Sequence, residues 1–402
     1  MVQALGISEE KREKKDEELT QVKKRGRRPA DPQKMRKNGV RINRKLISTG
    51  STYLVSLPSV WVKEMGLEPG NLLSVIVHGE DYRFVSIVPS NIDSTIPKEA
   101  TIHVYSGESA AKVFRKVVAA YVVGYERIYI EPYEEKSTLP REMRNEITKL
   151  ARQKLFGIEI SKNDPKLLKI MMYVDIRRPN ETLEEMCDQA MSIYNGAIEK
   201  LVLEGTFKSK ETLDAEKEAL RDVEKSDDAV DRRHHHGTRS LKRALMNPRL
   251  IADLDLLNPR IVMGHRLVEK DVERIADHSE RIAATYREYL SKKREMTKNH
   301  RKDYGVLIVT INEKSQEIKE LFNQMKAALD KKGKEAFDDA NDAIEFGEKL
   351  KTELKKAERQ HKDWHHRRIL ESMRRIVEYI IGIGEIILNM HVNSVVVERS
   401  KQ

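Results

Sequence analysis

Asp227-Asp228-Ala229-Val230-Asp231-Arg232 and Glu273-Arg274-Ile275-Ala276-Asp277-His278 are the stretches whose reading decides the fold of the C-terminal half. Residues four apart share a helix face, so Asp227 stands over Asp231 and Glu273 over Asp277. Like charges at that spacing cost a helix roughly 0.2–0.5 kcal/mol per pair unless a cation or basic neighbour lies between them. Two such helices side by side would gather four carboxylates, the donor set of a metal site in a helical bundle. In a chain that is 35% charged, the competing reading is two solvated acidic faces with no ligand.

The residues around these pairs narrow the choice. Glu273-Arg274-Ile275-Ala276-Asp277-His278-Ser279-Glu280-Arg281-Ile282-Ala283 closely resembles the "ERIGDHAxNIAE" signature of PhoU-type phosphate-uptake regulators. Asp227 to Arg232 resembles the acidic "ExxVDR" helix upstream of it, and the likeness spans roughly residues 180 to 395. The resemblance implies an all-α domain of six helices in two three-helix bundles and a role in phosphate homeostasis. It also implies docking on a phosphate ABC transporter or a sensor kinase, and a divalent or trivalent metal ion held by Asp227, Asp231, Glu273 and Asp277. The family carries this unit twice. Here the second copy reads Glu345-Phe346-Gly347-Glu348-Lys349 and Glu378-Tyr379-Ile380-Ile381-Gly382, with lysine and glycine at the fourth positions. A site stripped of half its carboxylates and given an ammonium binds a cation badly, so one metal site at most is expected.

Helical periodicity fills the chain from Asn180 onward. Helices are expected near 181–204, 209–245, 260–294, 298–330, 335–359 and 363–395, punctuated by Gly205, Asn247-Pro248, Asn258-Pro259 and Gly333. Cys187, the single cysteine, falls on an apolar stripe with Leu183, Met186, Ala190, Tyr194, Ala197 and Leu201, which reads as core. Consecutive helical residues diverge, so at most one of His234, His235 and His236 is expected at the acidic site and the others in solvent. His278 is read either as orienting Asp277 or as a surface histidine.

Toward the N-terminus the charge changes. Eleven lysines and arginines and one acid, Asp31, lie between Lys23 and Lys45, which accounts for the whole net charge of +10. Such a block beside a neutral body is the footprint of a polyanion binder, with double-stranded DNA the first candidate; a solvated arm is the alternative. Arg25-Gly26-Arg27-Arg28-Pro29 approximates, with one arginine too many, the core of AT-hook peptides. Residues 1–39 lack apolar periodicity and read as a disordered basic arm.

Residues 40–90 hold short β runs, Lys45 to Ser48, Tyr53 to Leu57, Leu72 to Val77 and Tyr82 to Val88, with a helical turn after Pro58 that ends at Gly66. Gly50-Ser51-Thr52-Tyr53-Leu54-Val55-Ser56-Leu57-Pro58, Trp61-Val62 and Gly66-Leu67-Glu68-Pro69-Gly70 resemble the AbrB/SpoVT or MazE-like swapped-hairpin DNA-binding domain. That likeness implies a homodimer interleaving its hairpins, with Arg41, Arg44, Lys45 and Lys63 toward DNA. Ser51 and Thr52 either donate to phosphates or only close the turn. So few short strands bury little core alone, which also favours dimerisation.

Residues 100–175 alternate strand and helix patterns, expected as a small α/β connector domain without a phosphate-loop glycine pattern. No nucleotide or organic cofactor is therefore expected. Ile376 to Val397 is interrupted by Glu378 and Glu385, so no membrane span is expected, and the lone cysteine suits a reducing cytoplasm. No nucleophile and base constellation appears, which argues against an enzyme, and a carboxylate-metal oxidase would want Glu-x-x-His pairs that the site lacks. The reading is a multidomain α+β protein, a DNA-binding transcriptional regulator of phosphate uptake. The alternative is a PhoU-like adaptor that docks on a transporter or kinase without binding DNA.

Overall fold

The computed structural model describes residues 43–78, 84–90, 99–134, 137–173, 177–202, 210–254, 256, 259–292 and 298–395. Its contacts divide the chain into two units, one running up to Ser74 with Pro89–Asn91, the other holding the rest.

In the first unit, β1 (Ile47–Thr49) and β2 (Thr52–Leu54) form an antiparallel hairpin with Thr49 opposite Thr52. That register leaves a two-residue turn, Gly50-Ser51, and Gly50 takes a φ of 63°, which a side chain would resist. The short helix α1 (Ser59–Glu64) follows Pro58 and stops at Gly66, also left-handed at φ 60°. β3 (Leu73–His78) and β4 (Phe84–Pro89), most of whose residues fall in the second unit, make another two-stranded sheet. The hairpin buries none of its apolar side chains: Leu46, Ile47, Leu54 and Val55 are exposed and Tyr53 is 70% exposed. Two three-residue strands offer no second layer for these groups to pack against.

The second unit contains a four-stranded sheet of order β5-β6-β8-β7. β5 (Glu99–Val104) runs parallel to β6 (Arg127–Pro132) through the crossover helix α2 (Ala110–Val123), whereas β8 (Leu167–Met172) is antiparallel to both β6 and β7 (Ile158–Asp164). α3 (Arg141–Lys154) links β6 to β7. Ser109 caps α2 by accepting from the Lys112 N–H, and Gly124 ends it in the left-handed region. Alternate strand residues Ile102 and Val104, Ile128 and Ile130, Leu168 and Ile170 turn inward onto Val113, Val117 and Tyr121 of α2 and Ile147 and Ala151 of α3. α2 and α3 also pack on α5 of the bundle, so the region drawn from sequence as 100–175 and the helices drawn as 180–396 lie together in this unit.

The helices are α4 (Pro179–Val202), α5 (Lys210–Met246), α6 (Pro248–Asp253), α7 (Pro259–Lys292), α8 (Lys298–Asp330), α9 (Gly333–Gln360) and α10 (Trp364–His391). α4, α5 and α7 pack as one three, α8, α9 and α10 as another, joined where α7 meets α10 and α4 meets α8. A single apolar core runs through both threes and includes Cys187 with every residue of its stripe. α10 is long and apolar enough to cross a bilayer by length and composition, although glutamates interrupt its sequence. Here Ile369, Met373, Ile376, Ile380 and Ile387 are buried, and the helix packs against α7, α8 and α9.

Candidate functional site

One turn apart on α5, Asp227 and Asp231 face Asp277 of α7. One carboxylate oxygen from each lies within 4.8 Å of the others, and all three side chains are half-buried. Asp227 Oδ1 is buried and meets no hydrogen-bond partner among the described residues. Burial, then the charges of Asp231 and Asp277, push the Asp227 carboxyl up to about 7. Burial, then Glu273 and Asp231, push Asp277 up to about 6. Glu280, one turn further along α7, is also raised, first by burial and then by Glu224 and Asp277. Burial first, and neighbouring carboxylates second, thus raise the carboxyls along the seam between α5 and α7.

Three of the four residues carried over from the family pattern converge, and Glu273 stands aside. One of its carboxylate oxygens is held by Lys270 at 2.5 Å, one turn back on the same helix, although after burial its charge is the largest acting on Asp277. The principal cation at the trio was not read from the sequence: Lys154, the last residue of α3, places Nζ 2.6 Å from Asp228 Oδ1 and 2.5 Å from Asp231 Oδ2. Although burial opposes it, these two carboxylates hold the Lys154 ammonium above its ordinary pKa. Lys154 lies 77 residues before Asp231, and no local pattern links them.

The histidines differ from expectation. His234 and His236 are both buried rather than solvent-exposed, His234 toward α7, where it meets Arg266, and His236 against Phe156 just past the end of α3. His234 Nε2 meets Arg266 Nη1 at 3.0 Å, His235 Nδ1 meets the Lys154 carbonyl at 2.9 Å, and His236 packs edge-on against Phe156. Burial, then Arg266, pull His234 down to about 3, so it stays neutral. His278 is buried against the Tyr379 ring, toward α10. One further acid lies in this seam. Glu269 is fully buried, and burial pushes it up to about 8. Gly237 makes room for it, since a Cβ there would come within 2.3 Å of Glu269 Oε1.

At the second copy, Glu345 pairs with Lys349 on an exposed face, and Glu378 is held by Arg374 and Arg375. Gly382 abuts Asp271, whose carboxyl burial raises to about 6. No other group of three ligating side chains forms among the described residues. Of the residues assigned to DNA, Arg25, Arg27, Arg28 and Arg41 lie outside the described residues. Arg44 and Lys45 are exposed just before β1, Ser51 and Thr52 are exposed at the hairpin turn, and Lys63 is exposed in the last turn of α1.

The trio fits a hard divalent or trivalent cation: every donor is a carboxylate oxygen, an oxygen from each lies close to the others, and Asp227 also carries a buried oxygen without a partner among the described residues. Residues 176–285, which carry α4, α5 and most of α7, match the family model described as the PhoU domain. This segment is therefore a PhoU domain, and all three converging aspartates lie within it. No curated protein and no solved structure matches the chain.

Proposed function

We propose that the chain regulates phosphate homeostasis, with a metal ion held in its PhoU domain and DNA bound by its N-terminal segment. The observation that carries the reading is the convergence of Asp227, Asp231 and Asp277 inside the matched segment. An ion there would supply positive charge to a seam that otherwise keeps Asp227 and Asp277 partly protonated near neutral pH. The three aspartates hold it from two helices and so tie α5 to α7. No part of this reading calls for catalysis.

Support for DNA binding comes from the basic block at Lys23–Lys45, which adjoins a hairpin whose Arg44, Lys45, Ser51 and Thr52 are all exposed. Backbone phosphates are the natural partners of such groups. The exposed Ile47, Tyr53, Leu54 and Val55 favour a homodimer, in which a second hairpin would cover them. In this account the head is the AbrB/SpoVT-like swapped hairpin, and the protein acts as a transcriptional regulator.

Filter binding of full-length protein to duplex DNA tests this. With about six phosphates neutralised, affinity should fall roughly a thousandfold between 50 and 200 mM salt. No binding, or binding indifferent to salt, would remove the DNA half and leave an adaptor that docks on a phosphate transporter or sensor kinase.

A further inference from the structure

The ammonium nearest the acidic trio comes from outside the PhoU segment. Lys154 ends α3, and its Nζ bridges Asp231, a member of the trio, and Asp228, which is not. The same end of α3 is tied to α5 by two more bonds. Arg232 Nη1 donates to the Gln153 carbonyl at 2.8 Å, and the His235 ring meets the Lys154 carbonyl at 2.9 Å. The end of α2 is held separately: buried Arg239 donates to the Tyr121 and Tyr125 carbonyls, and Arg243 approaches Glu126 at 3.7 Å. None of those contacts involves the trio.

A lysine ammonium and a multivalent cation held by one carboxylate share its single negative charge, and the two positive charges repel. We propose that Lys154 is a built-in competitor for the cation at Asp227, Asp231 and Asp277, so that ion binding takes Asp231 from Lys154 and loosens the end of α3 from α5. This rests on the metal reading of the trio. The consequence is a link between ion occupancy and the sheet region: with the ion absent, α3 is latched through Asp231; with it present, Lys154 keeps Asp228 alone. The contacts of Arg239 are untouched, so the loosening is confined to the α3 end of the α2/α3 layer.

The test uses full-length protein and Mn²⁺ as the probe. Calorimetric titration should show that Lys154→Met, which keeps the aliphatic stem and removes the charge, binds Mn²⁺ at least about tenfold more tightly than the parent. Lys154→Arg, which keeps the charge, should bind like the parent. In hydrogen exchange on the parent, Mn²⁺ should speed exchange in peptides covering Arg152–Gly157 and leave those covering Tyr121–Glu126 unchanged. That readout stands even if Lys154→Met does not fold. Asp277→Asn separates the two levels of the argument. If the parent binds Mn²⁺, Asp277→Asn does not, and yet Lys154→Met matches the parent and α3 exchange is unmoved by Mn²⁺, the latch is wrong and the metal site stands. If the parent itself binds no Mn²⁺, both fall.

Discussion

Replacing Asp227 with asparagine should stabilise the protein when metal is absent and the pH is high, the reverse of what most substitutions in a folded seam do. The folded carboxyl sits at about 7, against 3.8 when unfolded. A three-unit shift at about 1.4 kcal/mol per unit sets a ceiling of about 4 kcal/mol, and solvent screening at this half-buried site brings it to about 2 kcal/mol. The sign follows from proton binding. Between pH 4 and pH 7 the folded state keeps a proton that the unfolded state has released, so the parent loses stability as pH rises through that window and levels off above it. The amide of the Asp227→Asn variant never ionises, so its curve lacks that loss. Urea denaturation in excess EDTA, run from pH 4 to pH 8, should show the two proteins equal near pH 4 and Asp227→Asn ahead by about 2 kcal/mol at pH 8. Excess Mn²⁺ at pH 8 should reverse the order, because ligand binding stabilises only the protein with the complete trio. Parallel pH curves in EDTA, or a less stable variant at pH 8, would refute the claim that burial and the neighbouring aspartates hold the Asp227 carboxyl protonated in the folded seam.

Gly237→Ala should lower stability by about 1–2 kcal/mol in denaturant titration. The added methyl meets buried Glu269 within 2.3 Å, and overpacking of about 1–3 kcal/mol outweighs the gain of up to about 1 kcal/mol in helix propensity. Cys187, buried in the core and pushed up to about 12 chiefly by that burial, should resist iodoacetamide at pH 8 in the native protein and react promptly in denaturant. Equal reaction rates in the two states would contradict its placement.

Much of the fold was legible because its signals are local. The long helices fall within a few residues of their expected ends, since apolar stripes such as Leu183, Met186, Ala190, Tyr194, Ala197 and Leu201 repeat with helical period and prolines or glycines mark the breaks. α6 was read only as punctuation at Asn247-Pro248, although proline suits a first helical position. α10 carries apolar residues on several faces, and packing against three other helices explains them. What the sequence hid is tertiary. His234 is buried against Arg266 of α7 and His236 against Phe156 beyond α3, partners that leave no mark on the periodicity of α5. Glu273 has the right spacing from Asp277, yet an i,i+3 bond to Lys270 takes its carboxylate. Lys154 and Asp231 are separated along the chain by β7, β8, α4 and the first half of α5, so the role of Lys154 emerges only when the chain is folded.

The central claim is that Asp227, Asp231 and Asp277 form a metal site and that the second copy of the unit does not. Equilibrium dialysis of full-length protein against Mn²⁺, with the bound metal quantified, tests it most directly. The parent and Glu345→Gln should bind alike, because Glu345 is exposed and paired with Lys349, while Asp277→Asn should lose binding. Equal binding by all three proteins, or no bound metal in the parent, would contradict the account and return the trio to a solvated acidic face.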